Sequence, residues 1–69
     1  MTVKFQVPTL EDQATADRLK ELILISEPDA KIEIDTQAKV VTIDTKASEE
    51  TFEELIVAAG HSIESVNEN

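Results

Sequence analysis

Apolar and polar residues alternate in three separate segments of this chain, and this alternation constrains its fold more than any other feature. A period of two places apolar side chains on one side of an extended backbone, so each segment predicts a half-buried β-strand. The segments are residues 2–8, 30–35 and 39–44, with inward positions Val3, Phe5, Val7, Ile32, Ile34, Val41 and Ile43. A short turn at residues 36–38 makes the last two segments a hairpin.

Two other segments space their apolar residues three and four positions apart, which predicts amphipathic helices. The first helix is expected to end before the loop residues Glu27-Pro28-Asp29. The second is expected to begin at the N-cap Ser48 and to end at Gly60. Their apolar stripes are Ala16, Leu19, Leu22 and Ile23 in the first helix, and Phe52, Leu55, Ile56 and Ala59 in the second.

The start of the first helix has two interpretations. Asp12 can be the N-cap itself, because aspartate is among the preferred capping residues. Alternatively, Thr9 caps the helix and Asp12 closes a Thr-x-x-Asp capping box. Both interpretations give Asp12 a structural role.

A final strand over residues 61–66, centred on Ile63, completes the order strand, helix, strand, strand, helix, strand. The simplest packing of that order is an α+β, ferredoxin-like βαββαβ sandwich, with two helices on one face of a four-stranded antiparallel sheet. The 69 residues leave room for a single domain over 1–69, with a core over about 2–66 and a loose tail at 67–69.

The excess of acidic residues limits the classes of molecule that this chain is expected to bind. Fifteen acidic residues face six basic ones, for a formal net charge of −9. Nucleic acid and anionic membranes are poor partners for such a chain, whereas a basic protein surface or a cation complements it. The excess acid can also simply keep a small domain dispersed in water. Neither a signal peptide nor an apolar run of membrane-spanning length is recognisable, so we expect a cytoplasmic protein, most simply a monomer.

Residue types for catalysis and for RNA recognition are scarce. The only aromatic residues, Phe5 and Phe52, occupy inward positions, whereas RNA-binding sheets need exposed aromatics. The chain has no cysteine, one glycine and one arginine, Arg18, which is expected on the outer face of the first helix. We therefore expect a binding protein and not an enzyme.

One constellation of polar residues remains. The loop at residues 8–12 and the segment Gly60-His61 are expected at the same end of the sheet, so Glu11, Asp12 and His61 can converge there. A histidine with carboxylates holds Zn²⁺, Ni²⁺ or Cu²⁺ weakly.

At these residues the chain resembles the heavy-metal-associated domain family, which includes small bacterial copper chaperones and the N-terminal domains of copper-transporting ATPases. The resemblance runs over about residues 2–66. It is carried by the strand at 3–7, VPTL at 7–10, the hairpin residues at 33–35 and 39–43, and the ending AAGH at 58–61. It implies a ferredoxin-like fold and Leu10 at the position of a methionine packed beneath the metal loop.

The sequence departs from the family at the metal motif, Met-x-Cys-x-x-Cys. Asp12 and Thr15 stand at the positions of the two cysteines. Cu(I) is soft and selects sulfur, whereas a carboxylate is hard and a neutral hydroxyl is a poor ligand. The resemblance therefore implies the fold more strongly than the family's activity.

Two functions follow from these observations. The first is an acidic interaction module without a cofactor that has lost the Cu(I)-binding cysteines and contacts a protein partner, either basic or related to metal transport. The alternative is a metal-binding protein of altered specificity, in which Asp12, His61 and Glu11 hold a divalent or copper ion weakly.

Overall fold

The computed structural model describes residues 2–68, and describes Glu68 only by its backbone. The elements are β1 (Thr2–Gln6), α1 (Gln13–Ser26), β2 (Lys31–Asp35), β3 (Val40–Asp44), α2 (Glu49–Ala58) and β4 (Ser65–Glu68). All neighbouring strands are antiparallel, and their order in the sheet is β2-β3-β1-β4. This is the predicted ferredoxin-like βαββαβ sandwich.

The core lies between the helices and one face of the sheet. The strand register sets this face, because Phe5 lies opposite both Val41 and Val66, and Val3 lies opposite Ile43. These side chains meet α1 and α2, which bury every third or fourth residue. The fully or nearly fully buried residues are Val3, Phe5, Val7, Leu10, Ala16, Leu19, Ile23, Ala30, Ile32, Val41, Ile43, Phe52 and Ile56. Alternation and helical periodicity thus predicted almost the whole core.

The last strand begins later than predicted. Ile63 is not its centre but lies in the irregular segment 61–64, packed partly against the core. Glu64 N–H donates to Gln6 O at 2.7 Å, and regular pairing with β1 starts only after it. The prediction of a loose tail was wrong for residues 67 and 68, which pair with Lys4 and Val3. Asn69 lies outside the described residues.

The helix predictions need two smaller corrections. Leu22 was assigned to the buried stripe of α1 but is 44% exposed. The Ser48 hydroxyl does not cap α2 through a backbone N–H; it bonds to the Thr51 hydroxyl at 3.1 Å. Ser48 is nonetheless the N-cap residue by position, with extended backbone.

The second helix ends before Gly60, as predicted. Gly60 has φ +93°, a left-handed conformation that costs glycine little. His61 N–H then donates to Ile56 O at 3.2 Å, so the chain turns sharply toward the loop that follows β1. None of the helices within residues 2–68 has the length and apolar character needed to cross a membrane.

Candidate functional site

Three loops meet at one end of the sheet, and we call this region the loop end. It consists of residues 7–12 after β1, the turn 36–39 between β2 and β3, and residues 60–64 after α2. The sequence predicted that the first and third of these would lie together, and a direct hydrogen bond between them confirms it.

That bond joins Thr9 to His61. The Thr9 hydroxyl lies 2.8 Å from His61 Nδ1, and Ser62 N–H donates to the same hydroxyl oxygen at 3.2 Å. A single side chain thus holds the segment after α2 against the loop after β1. The N-cap of α1 is Asp12 and not Thr9, so the capping-box interpretation of the helix start is wrong.

Asp12 is the N-cap of α1, with φ −148° and ψ 176°. Its Oδ1 accepts from the backbone N–H and from the hydroxyl of Thr15, each at 2.8 Å. The backbone bond chiefly, then the hydroxyl bond, lowers the pKa of the Asp12 carboxyl below its ordinary value, and the charge of Arg18 adds to this. Asp12 is therefore ionised at neutral pH, and its carboxylate caps the first turn of α1.

The turn before β3 is hydrogen-bonded to the loop at residues 7–12. Val7 N–H donates to Lys39 O at 2.8 Å, and Lys39 Nζ donates to Leu10 O. Lys39 reaches this position with φ +59°, which is uncommon for a residue with a side chain. Leu10 is fully buried, as predicted for the position of the family methionine. Sequence reasoning missed the Lys39 contact, because nothing in the sequence marks a non-glycine residue for positive φ.

The side chains of Asp12 and Thr15, which the sequence resemblance aligns with the family cysteines, are poor ligands for Cu(I). Asp12 and Thr15 offer only oxygen, and these oxygens bind each other across the first turn of α1. A soft monovalent ion gains little from a carboxylate and a neutral hydroxyl.

Two residues of the alternative ligand set are engaged in other hydrogen bonds. His61 lies at the loop end with Glu11 and Asp12, but its Nδ1 is bonded to Thr9, and Asp12 is bonded to Thr15. Within the described residues, no group of three or more His, Asp or Glu side chains is placed to share a metal ion. Metal binding by Asp12, His61 and Glu11 therefore stays a prediction.

Comparisons with known proteins agree with this architecture. No family model and no curated protein sequence matches the chain. Among solved structures, the cyanobacterial copper metallochaperone ScAtx1 is 31% identical, with 93% of this chain and 100% of that chain covered and a TM-score of 0.78. The copper chaperone Atx1 from Synechocystis PCC6803 is 30% identical over 88% of this chain and 97% of that chain, with a TM-score of 0.82.

Proposed function

We propose that this chain, which belongs to the heavy-metal-associated domain family of Atx1-like copper chaperones, uses the family scaffold for protein–protein contacts and does not carry Cu(I). The observation that carries the proposal is the Asp12–Thr15 hydrogen bond. The sequence resemblance aligns these two residues with the family's cysteines. The proposed mode of action is binding and not catalysis.

Physical chemistry connects this observation to function. Cu(I) selects thiolate ligands, and this chain has no cysteine anywhere in its sequence. The loop end is held by hydrogen bonds among Thr9, His61, Lys39 and the backbone, so its shape needs no metal. A loop end held by the protein's own hydrogen bonds offers a partner protein a surface of fixed shape.

The charge of the chain supports a basic partner. With a net charge of −9, the domain attracts a cationic surface at long range and accelerates the encounter with it. A basic protein, including a cationic domain of a metal-transport system, is the partner class we propose. The proposed setting is the cytoplasm.

A second candidate function rests on a separate observation, the placement of His61 beside the loop of Glu11 and Asp12. In that case a divalent or copper ion draws His61 and Asp12 from their present hydrogen bonds and binds weakly. The cost of breaking those bonds reduces the affinity of such a site.

Thermal unfolding with a panel of ions separates the two functions. The panel contains Cu(I) under reductant, Cu²⁺, Zn²⁺, Ni²⁺, Co²⁺, Mn²⁺ and Ca²⁺, because an ion that binds only the folded state raises the midpoint by mass action. The same panel is measured on the variants Asp12→Asn and His61→Ala. Because these replacements themselves change the thermal midpoint, each variant's ion-induced shift is compared with that of the unchanged chain. The interaction module predicts no selective shift. A shift for one ion that both variants abolish would establish the metal-binding alternative.

A further inference from the structure

The turn between β2 and β3 places Lys39 against the loop after β1. Asp35 Oδ1 accepts from Gln37 N–H at 2.9 Å and from Ala38 N–H at 3.0 Å, which is a common way for aspartate to stabilise a turn. The residue that follows, Lys39, has φ +59°. Lysine has no preference for this region of backbone conformation, so contacts with its surroundings must hold it there.

Lys39 binds the loop after β1 through both its backbone and its side chain. Its carbonyl oxygen accepts from Val7 N–H at 2.8 Å and from Gln6 Nε2–H at 3.3 Å. Its ammonium group donates to Leu10 O. Leu10 is fully buried, so water does not reach this carbonyl. Within residues 2–68 the structure gives the carbonyl no other hydrogen-bond donor, and a buried carbonyl without a donor is unfavourable.

We propose that the ammonium group of Lys39 positions the loop end for recognition. It holds residues 8–11 in one conformation, and its removal frees them while the sheet and the helices stay folded. This inference rests on the proposed function, because it names the group that gives the recognition surface a fixed shape before a partner binds. A preorganised surface avoids the cost of ordering a loop during binding. Lys39 thus affects partner recognition as a positioning residue.

The loop depends on the ammonium group, whereas the sheet does not. β1 pairs with β3 along its whole length, and the bond from Val7 N–H to Lys39 O continues this pairing through the backbone alone. After Val7, a local bond from Leu10 N–H to Val7 O closes the loop at 3.1 Å, and the Thr9 side chain joins it to the segment after α2. The ammonium group joins the backbone of the same loop to the turn at 36–39. Without it, the loop keeps its contact with only one of its two neighbouring segments.

Lys39→Met tests the inference in the whole ¹⁵N-labelled chain, because methionine keeps an unbranched apolar stem and removes the donor. The measured quantity is the order parameter of each backbone amide, which is about 0.85 in rigid segments and below about 0.6 in flexible ones. We expect the amides of Thr9, Leu10 and Glu11 to move from the rigid to the flexible range, and those of β1 and β3 to stay rigid. Lys39→Arg keeps a cationic donor and should keep the loop rigid.

Lys46→Met is the matched control, since it makes the same replacement at an exposed lysine after β3, at the opposite end of the sheet. It should leave the order parameters of the loop unchanged. A second measurement needs no variant and therefore does not depend on whether Lys39→Met folds. In the unchanged chain, the ammonium protons of Lys39 should exchange with water more slowly than those of the exposed lysines, which ¹⁵Nζ spectra measure directly. The exposed lysines are Lys4, Lys20, Lys31 and Lys46.

Three results would overturn the inference: a loop that stays rigid in Lys39→Met, equal loosening of the loop by Lys39→Met and Lys46→Met, or Lys39 ammonium protons that exchange as fast as those of the exposed lysines. None of these results concerns metal. The loop measurements can therefore fail while the ion panel still supports an interaction module, and the reverse also holds.

Discussion

Thr15 donates both its backbone N–H and its hydroxyl to the same carboxylate oxygen of Asp12, each over 2.8 Å. This pair closes the first turn of α1 at the positions that the sequence resemblance aligns with the family's two cysteines. The carboxylate satisfies a backbone donor that a helix terminus otherwise leaves to water. Metal ligation and helix capping are alternative uses of the same two positions, and this chain has the capping pair.

Replacement of Asp12 should lower stability in proportion to the lost acceptor. Asp12→Ala removes the N-cap and should lower the thermal midpoint, whereas Asp12→Asn keeps a side-chain oxygen and should lower it less. Circular dichroism of both variants measures the difference. If the alanine variant melted at the midpoint of the unchanged chain, the cap would have no energetic role.

Acid should remove the advantage that aspartate has over asparagine at this N-cap. The pKa of Asp12 in the folded protein lies below its ordinary value of 3.8, so the unfolded chain takes up this proton at higher pH than the folded chain. The stability from the ionised carboxyl is therefore fully present above that value and is lost as pH falls through the lower folded pKa. Urea unfolding of the unchanged chain and of Asp12→Asn should show a difference that shrinks below pH 3.8. A difference that stays constant through the acid range would contradict the assigned hydrogen bonds.

The Thr9–His61 contact should appear as a coupling energy. Thr9→Val keeps the shape of the side chain but removes the oxygen that serves both His61 Nδ1 and Ser62 N–H. We expect a loss of about 1–3 kcal/mol, the net value of two ordinary hydrogen bonds. A double-mutant cycle with His61→Ala isolates the shared part, and additive effects of the two replacements would show that the pair does not interact.

Gly60 should resist substitution for conformational reasons alone. A methyl group added at its Cα would have no described atom within 4 Å, so Gly60→Ala meets no steric obstacle there, but φ +93° strains any residue with a Cβ. We expect Gly60→Ala to cost about 1–2 kcal/mol in urea unfolding, by the usual penalty for a left-handed backbone. Gly60→Asn should cost less, since asparagine adopts this region more readily. Equal stability of Gly60→Ala and the unchanged chain would contradict the observed turn.

Local patterns account for most of the fold. Val3, Phe5 and Val41 were predicted inward because a strand with one buried face must alternate, and all three are fully buried. Leu22 was misplaced because its spacing fits the apolar stripe, whereas packing against α2 and the sheet uses Leu19 and Ile23. The tertiary contact, which spacing alone does not contain, decides which of several apolar residues is covered.

The last strand also combines a feature that local pattern predicts with one that tertiary contacts decide. Ile63 is the apolar residue that a short pattern selects, yet its segment is an irregular loop. Ser62 N–H donates to the Thr9 hydroxyl, and Glu64 N–H donates to Gln6 O. The inward residue of β4 is Val66, which its place opposite Phe5 determines. Convergence of the two loops at the loop end followed from strand order, whereas the contribution of Lys39 depended on a backbone conformation without a sequence signature.

The proposal that this chain does not carry Cu(I) is tested most directly by competition for Cu(I) under reductant against a chromophoric Cu(I) chelator. The unchanged chain is compared with the double variant Asp12→Cys/Thr15→Cys, in which two thiols occupy positions whose side chains already meet. We predict that the unchanged chain leaves the chelator saturated and that the double variant withdraws one equivalent of Cu(I). Withdrawal of an equivalent by the unchanged chain would contradict the account, because oxygen and imidazole ligands would then be holding the ion that the capping pair is proposed to exclude.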